Sequence, residues 1–239
     1  MSRPFDVVVF DWYATLGAPA PDDWWNKMFS LIEAAGGVIP ESAVGGWATP
    51  VLEHVQASVS EATYRSYEDA QLRELFDACG LSRKVQDELA PSVMELREIE
   101  SIAVFPDVVG LLEELRAASV TLALCSNWSW DLTRHLEYNA ITRYFDIVIC
   151  SAMVGYRKPH PSIFEALLAE LEPLHPALDR SRIAFVGDDW NADVQGASST
   201  GLTPFHIART GCTIDSHAQI PCVRDLREIG RYLLDETGT

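Results

Sequence analysis

Apolar runs alternate with amphipathic segments along most of this chain. The first run, Val7–Val9, lies within residues 5–11 and predicts a strand covered on both faces. Four further strands are predicted at 120–125, 146–150, 182–187 and 203–207. The helices predicted around them are 107–118, 129–139, 161–171, 192–200 and 225–235. Strands that alternate with helices indicate an α/β fold with a doubly wound, mainly parallel sheet.

A different pattern fills residues 22–98, where apolar residues recur at three- and four-residue spacing. Helices are predicted at 22–35, 40–60, 64–79 and 82–98, and the pattern predicts no strand there. Four amphipathic helices can form a small bundle. We therefore predict an α/β core made of residues 1–17 and 99–239, with an all-helical domain of residues 18–98 inserted into it.

The composition is that of a folded, acidic protein. Of its 239 residues, 48% are hydrophobic and 22% are charged, and the formal net charge is −17. This charge disfavours nucleic acid and anionic membranes as partners, because phosphate contacts need clustered Lys and Arg. Any site for an anion must then carry its own cation. The oligomeric state expected is a monomer or a homodimer.

Five cysteines occur without a CxxC pair or a metal-ligand spacing. They predict buried free thiols rather than disulfides, as is usual in a reducing compartment. No signal peptide and no apolar run of about 18 residues is seen. The sequence therefore predicts a cytoplasmic protein.

Four loops follow predicted strands at the edge of the sheet where their carboxyl ends meet, and each contains a polar residue that packing does not readily explain. These residues are Asp11, the pair Ser126 and Asn127, then Lys158, and the acids Asp188, Asp189 and Asp193. Singly, each has a simpler explanation as a helix cap or a surface residue. Three carboxylates within six residues repel one another, however, and Mg²⁺ is a cation that prefers such oxygen ligands.

This ordered set of motifs resembles the haloacid dehalogenase superfamily, and residues 18–98 resemble the helical cap of the first type in that family. The resemblance implies a hydrolase in which Asp11 is the nucleophile and forms an aspartyl-enzyme intermediate. It further implies that Ser126 and Asn127 bind oxygens of the transferring group, and that Lys158 neutralises developing charge.

The same resemblance implies a Mg²⁺ site. Asp11, Asp188 and the backbone carbonyl of Tyr13 would hold the ion, with Asp193 behind them. The cation would offset repulsion between the nucleophile and a phosphate. The expected substrate is a small phosphorylated metabolite, and the expected activity is that of a phosphatase.

Tyr13 departs from the phosphatase pattern, which has a proton-shuttling Asp two residues after the nucleophile. A phenol titrates near 10 and is poorly suited to that task. Tyrosine there is similar to the 2-haloacid dehalogenases of the family, which use no metal and whose halide leaving group needs no proton. Their last motif carries Ser and Asn, whereas this chain has Asp188 and Asp189. A metal-free dehalogenase and a catalytically silent binding protein therefore stand as alternatives.

Aromatic and basic residues next to the motifs are candidates for contacts with the substrate. Trp12 and Trp128 follow Asp11 and Asn127, and aromatic rings there would suit an anionic substrate that also has an apolar portion. Arg65 in the helical insert and Arg157 beside Lys158 could clamp a carboxylate or a phosphate.

Overall fold

The structure is a computed structural model that describes residues 3–19, 24–41, 52–96, 102–211 and 220–234. Its strands are β1 (Val7–Phe10), β2 (Gly17–Pro19), β3 (Ile102–Val104), β4 (Thr121–Ser126), β5 (Ile147–Cys150), β6 (Ile183–Gly187), β7 (Thr203–Ile207) and β8 (Cys222–Val223). Its α-helices are α1 (Trp24–Ala34), α2 (Glu61–Ala78), α3 (Arg83–Glu95), α4 (Val108–Ala117), α5 (Leu132–Tyr138), α6 (Ser151–Val154), α7 (Pro161–Leu171), α8 (Gly196–Ser199) and α9 (Leu226–Leu234).

The main sheet of the described part has the strand order β5-β4-β1-β6-β7-β8, and every pair in it is parallel. The predicted doubly wound, parallel sheet is therefore confirmed. Strand β1 lies inside the sheet, and its four residues are fully buried. Val7 and Val9 pack into one apolar cluster, while Val8 and Phe10 pack into another. The alternation of strand side chains thus gives the core a layer on each face of the sheet.

A second, two-stranded sheet joins the two passages of the chain between the core and the inserted helices. Strand β2 precedes α1, β3 follows α3, and the two strands pair antiparallel. The sequence pattern indicates a loop at 15–21 and assigns residues 102–104 to no element, so it predicts neither strand. Strands of three residues are too short to show a hydrophobic period. In addition, β2 and β3 pair across more than eighty residues of intervening chain, which no local pattern indicates.

Helices α1, α2 and α3 pack around a separate apolar cluster, which includes Met28, Ile32, Leu72 and Phe76. These helices match the predictions at 22–35, 64–79 and 82–98 to within a few residues. Tyr64 of α2 instead joins the cluster of the main core. The inserted helices therefore have a core of their own and also contact the α/β layer.

The predicted helix at 40–60 is wrong for residues 52–60, which contain only the short 3₁₀ turn Ala57–Val59. Residues 42–51 lie outside the described part of the chain. Backbone groups at 52–54 bond to the loop after α6: Arg157 N–H donates to Leu52 O at 2.8 Å, and His54 N–H donates to Gly155 O at 2.7 Å. These backbone groups bond to a distant loop and are therefore not available for the hydrogen bonds of a helix, which explains why no helix forms here.

The segment predicted as a helix at 192–200 consists of a π-helical turn, Trp190–Gln195, followed by α8. Asp189 caps this turn, since its carboxylate accepts hydrogen bonds from the backbone N–H groups of Asn191 and Ala192. Widened turns of this kind are frequent at functional sites.

The cysteines divide into two groups. Cys79, Cys125 and Cys150 are buried free thiols, and burial raises the pKa of Cys125 to about 12. Cys222 is disulfide-bonded, so the expectation that the chain has no disulfide is wrong. The cytoplasmic location stays a prediction. Among the described residues, no helix has the length and apolar character needed to cross a bilayer.

Gly196 tests how tightly the core packs beneath the sheet edge. An added Cβ would lie 2.7 Å from Phe164 Cζ, and Phe164 is itself fully buried against Phe185. We expect Gly196→Ala to lower the free energy of unfolding by about 1–3 kcal/mol, because the ring cannot move without disturbing its neighbours. Urea denaturation followed by circular dichroism measures the change.

Gly110 on α4 is the matched control, because no atom lies within 4 Å of its added Cβ. Gly110→Ala should raise the free energy of unfolding by about 0.5–1 kcal/mol through helix propensity. Equal effects of the two substitutions would contradict this account of the packing.

Candidate active site

The carboxyl ends of three adjacent strands position the main polar groups. In the sheet, Phe10 at the end of β1 lies level with Leu124 of β4 and Val186 of β6. The residues that come next along each strand are therefore neighbours in space. Asp11, Ser126 and Asp188 all lie at this edge, as the loop analysis predicted.

Lys158 joins the nucleophile candidate to the last motif. Its Nζ lies 2.6 Å from Asp11 Oδ1 and 2.5 Å from Asp193 Oδ1, and it also donates to the carbonyl of Cys125 at 2.8 Å. All four of these residues are buried. Burial lowers the pKa of Lys158, but the carboxylates of Asp11 and Asp193 raise it more, so the net shift is upward. The ammonium is therefore charged.

Asn127 holds the backbone of Lys158 in place. Its Oδ1 accepts a hydrogen bond from Lys158 N–H at 2.7 Å, and its Nδ2 donates to Lys158 O at 2.9 Å. Both polar atoms of the amide are thus used for positioning the lysine. Ser126 lies just before it, buried, as the last residue of β4. That Ser126 and Asn127 bind the transferring group stays a prediction.

Asp11, Asp188 and Asp193 bring carboxylate oxygens within 4.8 Å of one another. Burial, together with the charge of Asp11, raises the pKa of Asp188 to about 8 and that of Asp193 to about 7. Crowded carboxylates of this kind bind protons or a cation. An all-oxygen donor set suits Mg²⁺, and these residues fit the predicted metal site in that respect.

Gly187 makes the approach of Asp193 sterically feasible. A Cβ at this position would lie 2.3 Å from the carboxyl group of Asp193, closer than any real contact. The glycine before Asp188 therefore allows the acid from the π-helical turn to reach Lys158. The backbone N–H of Asp189 in turn donates to Asp193 Oδ2 at 3.0 Å, which fixes that carboxylate.

Two residues that we did not predict contact Asp188. Thr15 is fully buried, and its Oγ1 donates to Asp188 Oδ1 at 3.3 Å. The ring Nε2 of His206 lies 2.9 Å from the backbone carbonyl of Asp188. Thr15 belongs to the same loop as Asp11, and His206 lies near the end of β7. The rule that the site lies at the carboxyl ends of strands could therefore have identified both.

Asp107 and Arg209 form an ion pair behind the loop that contains Asp11 and Thr15. Arg209 donates to Asp107 Oδ2 and to the backbone carbonyl of Thr15, both at 2.6 Å. Its guanidinium also lies over the Phe105 ring, 4.0 Å from the centroid. Asp107 Oδ2 additionally accepts the Leu226 N–H at 2.7 Å. The Asp107–Arg209 pair thus connects the loop that contains Asp11 and Thr15, the passage after β3 and the start of α9.

Aromatic side chains surround the loop between β4 and α5. The ring of Tyr13 stacks on Trp128 with 5.9 Å between centroids, and Trp128 meets the buried His135 edge-on at 5.2 Å. Trp130 packs near Tyr64 of α2 at 6.3 Å. Trp12, by contrast, is fully buried in the main core. Trp128 therefore lies beside Tyr13, whereas Trp12 packs in the interior.

The two candidate arginines occupy different environments. Arg65 lies on the exposed side of α2, where its guanidinium pairs with Glu61 at 2.6 Å. Arg157 is half-buried in the loop that carries Lys158, and its backbone bonds to the segment before α2. The structure thus places Arg157, and not Arg65, next to a catalytic candidate.

A family model described as haloacid dehalogenase-like hydrolase matches residues 5–201. A phosphoserine phosphatase from Thermus thermophilus is 28% identical over 200 residues, which cover 82% of this chain and 75% of that protein. The (S)-2-haloacid dehalogenase H-109 from Pseudomonas putida is 27% identical over 244 residues, which cover 98% of this chain and 100% of that protein.

Ribulose-1,5-bisphosphate 5-phosphatase from Halopiger xanaduensis is 33% identical over 105 residues, and the match spans only 42% of that protein and 44% of this chain. Among solved structures, a HAD phosphatase from Thermococcus onnurineus superposes with a TM-score of 0.60 at 22% identity, covering 96% of this chain and 98% of that one. The structural likeness supports the fold.

The Asp107–Arg209 pair makes a measurable prediction about stability. Arg209→Met leaves the Asp107 carboxylate buried without its cation and should lower the free energy of unfolding by about 3 kcal/mol. Adding Asp107→Asn removes the unpaired charge, so the double variant should be more stable than Arg209→Met alone. Urea denaturation of wild type, both single variants and the double variant gives the coupling energy, and simple additivity would contradict a direct interaction.

Proposed function

This chain belongs to the haloacid dehalogenase-like hydrolases, and from that premise we propose that it is a Mg²⁺-dependent phosphatase of a small phosphorylated metabolite. The nucleophile that we assign is Asp11. Residues 1–17 and 99–239 form the catalytic core in this proposal, and residues 18–98 form the cap that closes over the substrate. The expected partner is a small anionic molecule.

The observation that carries the proposal is the uncompensated charge of the buried acids. Asp11, Asp188 and Asp193 lie within 4.8 Å, and Lys158 is the cation that contacts two of them. When all are ionised, three carboxylates and one ammonium leave an excess of two negative charges, which one divalent cation cancels. Such a cation also opposes the rise in the pKa of Asp188 that burial and the neighbouring carboxylates cause.

We assign three groups to the metal: the carboxylates of Asp11 and Asp188 and the backbone carbonyl of Tyr13. Asp193 would lie next to these ligands without contacting the ion. When bound, Mg²⁺ supplies positive charge that offsets repulsion between the nucleophile and the phosphate. Thr15 orients Asp188 through its hydrogen bond. Arg209 bonds to the Thr15 carbonyl and so fixes the loop on which both Asp11 and Thr15 lie.

The chemistry of Asp11 takes two steps in this proposal. A carboxylate oxygen attacks phosphorus, the bond from phosphorus to the leaving oxygen breaks, and an aspartyl phosphate forms. Water then attacks the intermediate, which releases phosphate and restores the carboxylate. Lys158 contacts Asp11 directly, so its ammonium lies next to the phosphoryl group as negative charge develops.

A metal-free 2-haloacid dehalogenase is the second candidate, and the raised pKa of Asp188 favours it as well. At a pKa of about 8, this acid holds a proton at neutral pH, which relieves the repulsion without a metal. Tyr13, stacked on Trp128, suits a halide leaving group that needs no proton. The dehalogenase from Pseudomonas putida also aligns with nearly the whole chain. A silent binding protein is not favoured, because Asp11, Lys158 and the acids are all present.

The phosphatase proposal predicts turnover of p-nitrophenyl phosphate that Mg²⁺ activates and a chelator removes. Asp11→Asn should reduce the rate to background because it lacks the nucleophilic carboxylate. Asp188→Asn should raise the Mg²⁺ concentration needed for half-maximal activity at least about tenfold, since an amide replaces a charged ligand. Initial rates over a Mg²⁺ titration measure both effects.

Asp189→Asn is the matched control for this titration. Asp189 is exposed and caps the following turn, a task that asparagine performs equally well, so its Mg²⁺ dependence should match wild type. Halide release from 2-chloropropionate that persists with a chelator, without phosphatase activity, would establish the dehalogenase instead. Phosphatase activity unaffected by chelation or by Asp11→Asn would refute the proposal.

Tyr13 predicts a steep dependence of the phosphatase rate on the leaving group. Because a phenol is a poor proton donor at neutral pH, kcat/KM for ethyl phosphate should be at least about 100-fold below that for p-nitrophenyl phosphate. Tyr13→Asp should narrow this gap, and Tyr13→Phe should leave it in place. Similar kcat/KM values for the two esters in the wild-type enzyme would show that another group donates the proton.

A further inference from the structure

Arg157 is a cation at the boundary between the core and the inserted helices. It directly precedes Lys158, and its backbone N–H donates to Leu52 O from the segment that leads to α2. The side chain is half-buried, and its Nε is fully buried without a hydrogen-bond partner among the described residues. Part of the guanidinium is therefore withdrawn from water with its hydrogen-bonding capacity unused, which is costly unless a ligand supplies the acceptor.

Tyr64 of α2 presents a second unused polar group next to Arg157. The residue is fully buried, and its hydroxyl interacts with the Arg157 side chain but makes no hydrogen bond of standard geometry in the described part of the chain. Burial raises the pKa of Tyr64 to about 12, and the positive charge of Arg157 opposes that shift. The His54 ring lies 5.6 Å from the Tyr64 ring, and the backbone N–H of His54 donates to Gly155 O, two residues before Arg157, so the phenol lies beside the loop that carries Arg157. The hydroxyl remains a proton donor at neutral pH.

The absence of an acidic partner distinguishes Arg157 in a protein of net charge −17. Several other arginines pair with carboxylates: Arg65, Arg73, Arg116, Arg180, Arg182, Arg209 and Arg227. In the described ranges, Arg157 forms no such pair. Within the part of this acidic chain that the structure describes, Arg157 is thus a half-buried guanidinium without a carboxylate partner, and its positive charge is available to an anionic ligand.

The surroundings of Arg157 lead back to the candidate active site. Burial raises the pKa of Cys150 to about 12, and the Arg157 charge is one of the influences that oppose this shift. The Cys150 thiol donates to the carbonyls of Trp128 and Ser129, in the loop that follows Asn127. Arg157 N–H donates to Leu52 O, and Asn127 holds the backbone of the next residue, Lys158, with two hydrogen bonds. Arg157 therefore lies between the segment that leads to α2 and this loop, one residue from the lysine that contacts Asp11.

We propose that Arg157 and Tyr64 form a recognition site for a carboxylate of the substrate, separate from the group that reacts at Asp11. A guanidinium binds such an anion through two parallel hydrogen bonds, and the phenol donates a third. The rings of Tyr67 and Trp130 lie 5.7 and 6.3 Å from the Tyr64 ring and cover part of this position. The proposal rests on the proposed function, since it assumes that Asp11 receives the reacting group.

Equilibrium binding tests the site without turnover. In an Asp11→Asn background with Mg²⁺, isothermal titration calorimetry compares two pairs of probes that differ in one acidic group. The first pair is 2-phosphoglycolate and ethyl phosphate, and the second is 3-phosphoglycerate and glycerol 3-phosphate. The carboxylate-bearing member of at least one pair should bind about 10- to 100-fold more tightly, as expected of charged hydrogen bonds. No preference in either pair overturns the proposal.

Substitutions then assign the preference to the two side chains. Arg157→Met should abolish it, Arg157→Lys should restore part of it, and Tyr64→Phe should reduce it about threefold to tenfold. Arg134→Met removes an exposed arginine of α5 and is the matched control, so it should retain the full preference. Thermal unfolding identifies any variant that does not fold. If Arg157→Met does not fold, Tyr64→Phe, which removes only one oxygen, still tests the proposal. A preference that survives Arg157→Met and Tyr64→Phe overturns the proposal.

The two proposals fail separately in these experiments. The phosphatase proposal fails if turnover of p-nitrophenyl phosphate is absent or insensitive to a chelator. The preference for the carboxylate-bearing probes can still be measured in that case. Failure of the Arg157 site appears as equal affinity within both probe pairs, whatever the turnover. For catalysis in the wild-type background, Arg157→Met should lower kcat/KM for 2-phosphoglycolate relative to ethyl phosphate. An equal fall for both substrates would indicate a structural role only.

Discussion

The buried contact of Lys158 with Asp11 and Asp193 is the interaction on which the rest of the site depends. An ammonium and two carboxylates are costly to bury singly, and the site retains them because each compensates another. The compensation is incomplete, since Asp188 adds a further acid within 4.8 Å. Burial and the remaining negative charge raise the pKa of Asp188 to about 8, so the site requires either a cation or a proton. Phosphatase and dehalogenase chemistry correspond to these two solutions.

Several structural features hold this cluster together from different parts of the fold. Asn127 fixes the backbone of Lys158 with two hydrogen bonds, and Gly187 leaves room for Asp193 to reach the ammonium. On the opposite side, Arg209 holds the carbonyl of Thr15, whose hydroxyl reaches Asp188. The site therefore combines residues from separate strand ends, and its geometry depends on the sheet register that places those ends side by side.

The boundary between the core and the inserted helices contributes a different kind of constraint. Residues 52–54 bond to the loop before Lys158, so α2 lies against the same loop that supplies the lysine. This contact replaces a predicted helix and brings Tyr64 next to Arg157. Specificity and catalysis would then share one loop, in which Lys158 contacts Asp11 and the backbone of Arg157 bonds to the segment that leads to α2.

The sequence by itself determined the parallel sheet, the helical insert and the four polar loops. The hydrophobic period is a local property of the chain, and the alternation of strands and helices can be read along it. It also identified Asp11, Lys158, Asp188 and Asp193 as one group. Only the tertiary structure decided what depends on contacts between distant segments. It showed the β2–β3 pairing, the use of Asn127 to hold Lys158, the Asp107–Arg209 pair and the burial of Trp12. It also separated Arg65, which pairs with Glu61 in solvent, from Arg157, which is half-buried in the loop that carries Lys158. These contacts depend on which side chains are buried and on which charged groups become neighbours in the folded chain. Neither can be read from the spacing of residues along the sequence.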